Sequence, residues 1–171
     1  LISDAANAFL AAPKRMLIGA DWVDAADGAQ LDVRNPATGE VFAQVPAGKA
    51  ADVDRAVRAA RTAFEEGPWP AMSTVQRERL LLALADKVEA NAQELAELES
   101  LDNGKSVMLA RHVDMAMAVD FLRYMAGWAT KIEGATHDVS VRFMQQAKLF
   151  AGPRRETVGV VGGIIRWHIA L

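Results

Sequence analysis

Residues 159–171 read GVVGGIIRWHIAL. From Val158 to Ile165 every side chain is apolar except at the glycines. A run without polar alternation suits a strand buried on both faces, as in a parallel sheet. Glycines at 159, 162 and 163 follow the spacing Gly-x-x-Gly-Gly, which matches neither the dinucleotide fingerprint nor the phosphate loop. Inside a strand, glycine marks a bulge or a close backbone approach. Here the approaching group is either a ligand or a helix.

Upstream of this strand the chain reads as extended again. In HDVSVRF (137–143), Val139, Val141 and Phe143 alternate onto one side. The following AKLFAGP is extended as well, broken at Gly152-Pro153. Before Gly134 the spacing predicts a long helix over about 107–133. On it Met117, Phe121, Tyr124 and Trp128 form one stripe. The stripe reads as a core face, with a pocket wall as the alternative.

Further back, Ser73-x-x-Gln76 is a capping box opening a helix with Leu80, Leu81, Leu84 and Val88 inward. Asn91, with Glu94 three residues on, is expected to cap a second helix that Gly104 ends. In Asp102-Asn103-Gly104-Lys105, a helix-end turn, Lys105 reads as solvated. Residues 50–66 take helical period, with Val53, Val57, Ala60 and Phe64 on one face and Arg55, Arg58 and Arg61 on the other, solvated one. Residues 16–46 read as β structure, including a hairpin around Asn35-Pro36-Ala37-Thr38-Gly39.

The 171 residues carry a formal net charge of −3, and half of them are apolar. That balance offers no basic patch of the kind nucleic acid requires; Arg154-Arg155 with Lys148 reads as a solvated loop. The absence of cysteine excludes disulfides, thiolate nucleophiles and cysteine metal sites. It is compatible with a cytoplasmic setting. The apolar run Ala8–Ala12 is too short for a membrane span or a signal-peptide core. Neither His112 nor His137 has a further ligand at useful spacing, so metal binding through histidine is not expected.

Four blocks in order resemble the N-terminal portion of the aldehyde dehydrogenase superfamily. They are NPATGEVFAQVP (35–46), LESLDNGKSV (98–107), FLRYMAGWATKIEG (121–134) and ETVGVVGGIIRW (156–167). TKIEGATHDVSV is most similar to phenylacetaldehyde dehydrogenases. The resemblance implies an α/β fold: a partial Rossmann-like NAD-binding domain with an N-terminal β-hairpin, helices, bridging strands and one sheet strand. Residues 1–15 would be an N-terminal extension and 16–135 the first part of the NAD-binding domain. Residues 136–157 would bridge subunits of a homodimer or homotetramer, and 158–171 would return to the NAD-binding sheet. The catalytic domain would lie beyond the chain, which is expected to be incomplete.

The same resemblance implies the site. Ile164, Ile165, Arg166 and Trp167 would lie beside the cofactor, NAD or NADP. His168 would stand at the oxyanion position, where the family carries Asn. Met117 and Ile169 would line the aldehyde tunnel. The Val33 carbonyl and Asp102 would lie near a monovalent cation. The chain departs from the family's Pro-Trp-Asn-Phe-Pro, reading Arg166-Trp167-His168-Ile169-Ala170. The implied reaction oxidises an aldehyde to its carboxylic acid. The alternatives are a non-catalytic homologue acting as an assembly or regulatory partner, and a generic α/β binding module.

Overall fold

The computed structural model describes residues 2–168. Helix α1 (Asp4–Ala11) leads into two hairpins, β1 (Met16–Ile18) with β2 (Asp21–Val23) and β3 (Gln30–Arg34) with β4 (Val41–Pro46). Then follow α2 (Ala50–Glu66), a single 3₁₀ turn (Trp69–Ala71), α3 (Thr74–Ala90) and α4 (Ala92–Asn103). Next come the short α5 (Val107–Leu109), a π turn (Ala110–Asp114) and α6 (Met115–Trp128). The architecture is mixed α/β with small antiparallel sheets. Among the described residues, no helix is long and apolar enough to cross a membrane.

Local chemistry sets several of these boundaries. The β3–β4 turn is closed by Asn35, whose Oδ1 accepts from the Ala37 amide at 2.9 Å, with Gly39 at φ 76°. Asn favours this role because its side chain mimics a backbone turn. Ser73 and Gln76 form the expected reciprocal cap on α3: the Gln76 amide donates to Ser73 Oγ and the Ser73 amide donates to Gln76 Oε1. Asn91 differs from expectation. Its amide donates to the Lys87 carbonyl at 2.8 Å, so it closes the end of α3 and makes no side-chain cap on α4.

Gly104 ends α4 in the left-handed region at φ 78°, its N–H donating to the Ser100 carbonyl. A Cβ there would come within 2.9 Å of Pro36 Cγ, so the end of α4 rests on the tip of the β3–β4 hairpin. Replacing Gly104 with Ala forces an L side chain into αL at about 1–2 kcal/mol and adds that overlap. A loss of at least this size is expected in urea unfolding; an unchanged midpoint would show that the tip yields freely.

Helix α1, which periodicity does not reveal, is held from a distance. Ser3 donates to Glu97 Oε2 through its N–H (2.8 Å) and its hydroxyl (2.5 Å), and the same hydroxyl accepts from the Ala6 amide as N-cap. Gln93 donates to Glu97 Oε1 at 2.7 Å. The Ser3 hydroxyl first, then Gln93, holds this carboxyl below its ordinary 4.5. A lowered folded-state pKa means the stabilisation is complete above the ordinary value and is lost as pH falls through the lowered one. Acidification should therefore release α1 before the helical core unfolds, read from the Ser3 amide resonance. In Glu97→Gln that titration should disappear.

The core is built from small residues. Ala85, Val88 and Val119 form one buried cluster, and Ala92, Ala96, Ala110 and Met115 form another, with Leu95 packed against both. Alanines on α3, α4 and the π turn let the helices approach closely. On α3 only Val88 of the four expected inward residues is buried and Leu81 half-buried; Leu80 and Leu84 are exposed. On α2, Val53 and Val57 are exposed too.

The Met/aromatic stripe is a correction with a clear cause. On α6 the buried residues are Met115, Val119 and Ala126, with Leu122 half-buried on the same side and the small Ala118 and Gly127 half-buried beside them. Met117, Phe121, Tyr124 and Trp128 sit two residues out of phase. At about 100° per residue that is the opposite side of the helix. They are 46–64% exposed. Trp128 lines a cleft of about 400 Å³ with Trp69, Leu81, Met125 and Ile132. A helix apolar on both sides fits burial between two layers; the described residues supply one.

Two expected strand regions also differ. Residues 136–157 contain a single antiparallel bridge, His137 to Ala151, whose N–H···O distance is 2.8 Å. Otherwise this stretch is extended or turned. Residues 158–168 form no strand, and Val158, Val161, Ile164, Ile165 and Trp167 are exposed. A strand needs a neighbour for its backbone groups, and none pairs with this segment among the described residues.

Candidate functional site

The expected cofactor-side segment is an extended strap attached at both ends. Near its start Gly159, at φ 111°, lies against α2: a Cβ there would be 3.3 Å from Arg61 Nη1 and 3.7 Å from Phe64 Cε1. The close approach signalled by this glycine is to a helix. At Gly162 and Gly163 a Cβ would meet nothing within 4 Å, so both sides of the strap are open there. At the far end the His168 carbonyl accepts from Lys105 Nζ at 2.6 Å. The Trp167 and His168 rings meet edge to face, with centroids 5.6 Å apart.

Lys105 is therefore not the solvated residue expected. Its side chain is 15% exposed, between Glu99 of α4 and Asp114 of the π turn. Nζ donates to Glu99 Oε1 at 3.1 Å, to Asp114 Oδ2 and to the His168 carbonyl. An ammonium has three N–H donors, and here each has one acceptor. Desolvation works against its charge, but the bonds to Asp114 and Glu99 outweigh it and leave the pKa raised. The turn beneath is well braced: Ser100 Oγ donates to the Lys105 carbonyl at 2.5 Å, and the Lys105 amide donates to Asn103 Oδ1 at 2.8 Å.

The π turn explains how Asp114 arrives there. One extra residue in the turn rotates the helix beyond it, and π turns recur where a helix must aim a side chain. Asp114 and Met115 are both buried as a result. No local pattern announces this triad. Its members lie six and nine residues from Lys105 across a non-helical junction, and its fourth partner is 63 residues away. A Lys directly after a helix-ending glycine, with acidic residues on both flanking helices, was the one available signal.

The other expected residues are dispersed. Ile164 and Ile165 are exposed on the strap, as are Arg166, Trp167 and His168. Met117 is exposed on α6. Val33, half-buried, pairs with Ala43 beside the β3–β4 bulge, and Asp102 is exposed in the last turn of α4. The contact of Gly104 with Pro36 puts the elements carrying these two side by side. No cluster of three or more metal-ligating side chains occurs among the described residues. Ile169 lies outside the described residues.

Phenylacetaldehyde dehydrogenase of Pseudomonas fluorescens is 43% identical over 159 residues, covering 93% of this chain and 32% of that protein. A mitochondrial aldehyde dehydrogenase of Equus caballus is 45% identical over 158 residues, covering 92% of this chain and 30% of its own length. The chain thus spans about a third of the length of the curated relatives it matches. Among solved structures, the NAD+ complex of the Bacillus cereus aldehyde dehydrogenase superposes with a TM-score of 0.80 at 43% identity, covering 82% of this chain and 28% of that one. The family model described as the aldehyde dehydrogenase family matches residues 22–171. Matched by that model over residues 22–171, and superposing on a solved member over 82% of its length, the chain belongs to the aldehyde dehydrogenase family.

Proposed function

We propose that this chain supplies the N-terminal, cofactor-side third of an NAD(P)-dependent aldehyde dehydrogenase that oxidises an aldehyde, phenylacetaldehyde among the candidates, to its carboxylic acid. The observation that carries the reading is the 43% identity to a phenylacetaldehyde dehydrogenase across 93% of the chain. The strap fits a dinucleotide: from Val160 to Trp167 its backbone has no hydrogen-bond partner among the described residues, and Gly162 and Gly163 leave it open to close approach. When bound, the nicotinamide supplies a hydride acceptor. Backbone groups of Ile164, Ile165, Arg166 and Trp167 hold and orient the dinucleotide. His168 donates an N–H to the oxyanion that forms when a thiolate from elsewhere in the protein attacks the carbonyl. Met117 and Ile169 line the aldehyde path. The Val33 carbonyl and the Asp102 carboxylate face a monovalent cation.

The extended stretch 136–157 serves in this reading as an arm to a second copy in a homodimer or homotetramer. A cytoplasmic location goes with it. The exposed stripe on α6 is covered by the remainder of the protein. The test is the intact mass of the natural product of this gene, with NADH formation assayed on the same material. A mass about three times that of the 171-residue chain, with turnover of phenylacetaldehyde, is expected from the one-third coverage of relatives. A product no longer than this chain would overturn the reading.

A further inference from the structure

We infer that Lys105 is a positioning residue for the cofactor-side strap, pinning the backbone at His168 to the junction of α4 and the π turn; the inference rests on the proposed reading of Ile164–His168 as that side. Three observations converge. Among the described residues, the hydrogen bond from Lys105 Nζ to the His168 carbonyl is the one joining 158–168 to the rest of the chain. Without it the strap would hang from the contact of Gly159 with α2, with the nine described residues 160–168 free to swing. The ammonium cannot itself wander, because Glu99 and Asp114 hold its other two donors, and both are more than nine-tenths buried.

The third observation is the cost of the cluster. It buries two carboxylates against one ammonium, and Glu99 Oε2 has no hydrogen-bond partner among the described residues. Buried charge clusters of this kind are weak sources of stability, and apolar replacements often match them. What an apolar replacement could not do is donate a directed hydrogen bond to a backbone carbonyl 63 residues away. The arrangement sets the position of residue 168 through its main chain. It is therefore indifferent to the side chain there, which is where this sequence departs from its family.

The test is run first on the 171-residue chain. In the triple variant Lys105→Met, Glu99→Gln, Asp114→Asn no charge is left buried in this cluster. Backbone ¹⁵N order parameters at Ile164, Ile165 and Trp167 should fall from about 0.85 to below about 0.6, while amides of α4 and α6 keep theirs. Unchanged values at these three residues, or values already below about 0.6 in the parent chain, would overturn the inference. Should the variant lose its helices, a second measurement decides. Removing residues 163–171 leaves the triad intact and takes away one acceptor. Acetylation of Lys105 should then speed up about tenfold relative to Lys49, the worth of one charge-assisted hydrogen bond; an unchanged rate would overturn the inference.

Neither readout involves cofactor or turnover, so both survive a failure of the proposed function. In the longer protein the triple variant should raise KM for NAD+ about tenfold, again one such bond, with the aldehyde KM unchanged. A mobile strap with an unaltered KM for NAD+ would overturn the positioning role.

Discussion

The 171-residue chain, purified free of any longer product, will form no NADH from NAD+ and phenylacetaldehyde above the uncatalysed background. The proposed reaction passes through attack of a thiolate on the aldehyde carbonyl, and the chain contains no cysteine. A thiol is the one side chain that is a potent nucleophile near neutral pH with only a small thiolate fraction. Serine would need an adjacent general base, and no described serine hydroxyl donates to or accepts from a histidine. Ser3, Ser73 and Ser100 spend theirs on Glu97, on the cap of α3 and on the Lys105 carbonyl. Losing the nucleophile removes the covalent step altogether, so the expected effect is complete. The measurement is absorbance of NADH at saturating cofactor, with the mass of the preparation checked. Any turnover would mean that the hydride leaves without a thiol adduct, and the proposed mechanism would fail.

The second large effect is expected at His168. In the longer protein, His168→Asn should raise turnover at least about tenfold, a fraction of the roughly 100- to 1000-fold that one oxyanion donor is worth. An Asn amide donates one neutral hydrogen bond from a short, planar group. The His168 ring is larger, and here it lies edge to face on Trp167, 5.6 Å between centroids. The substitution should leave the main chain where it is, because the carbonyl of residue 168 is held by Lys105 whatever its side chain. The gain should therefore be in kcat, with KM for NAD+ unaltered. Steady-state kinetics of both forms from about pH 6 to pH 9 provide the check. A rate equal to or below that of the parent would show that His168 already serves the oxyanion or does not face it.

Both expectations join something local to something distant, and the two differ in how they could be read. The capping box at Ser73, the turn at Asn35 and the stop at Gly104 are settled by hydrogen bonds within a few residues. Four ordered blocks carry the family for the same reason: a colinear pattern survives without knowledge of contacts. The hairpin, α2, α3, α4 and the membership were thus legible along the chain, whereas the single helix expected over about 107–133 is interrupted by the π turn and ends at Trp128. Periodicity told which residues of α6 share a side. It could not tell which side is covered, because Met115-Val119-Leu122-Ala126 and Met117-Phe121-Tyr124-Trp128 are both apolar. Packing against α3 and α4 chose the first stripe: Val119 and Leu122 meet the α3 cluster and Met115 the alanines of α4. The stretch 158–165 forms no strand among the described residues for a related reason: apolar character gives a segment the means to be buried, while burial also needs a partner strand. Lys105 owes its burial to long-range packing alone. Its three acceptors come from α4, from a π turn and from a carbonyl 63 residues on, and an ammonium finds such a set only once the chain has folded around it.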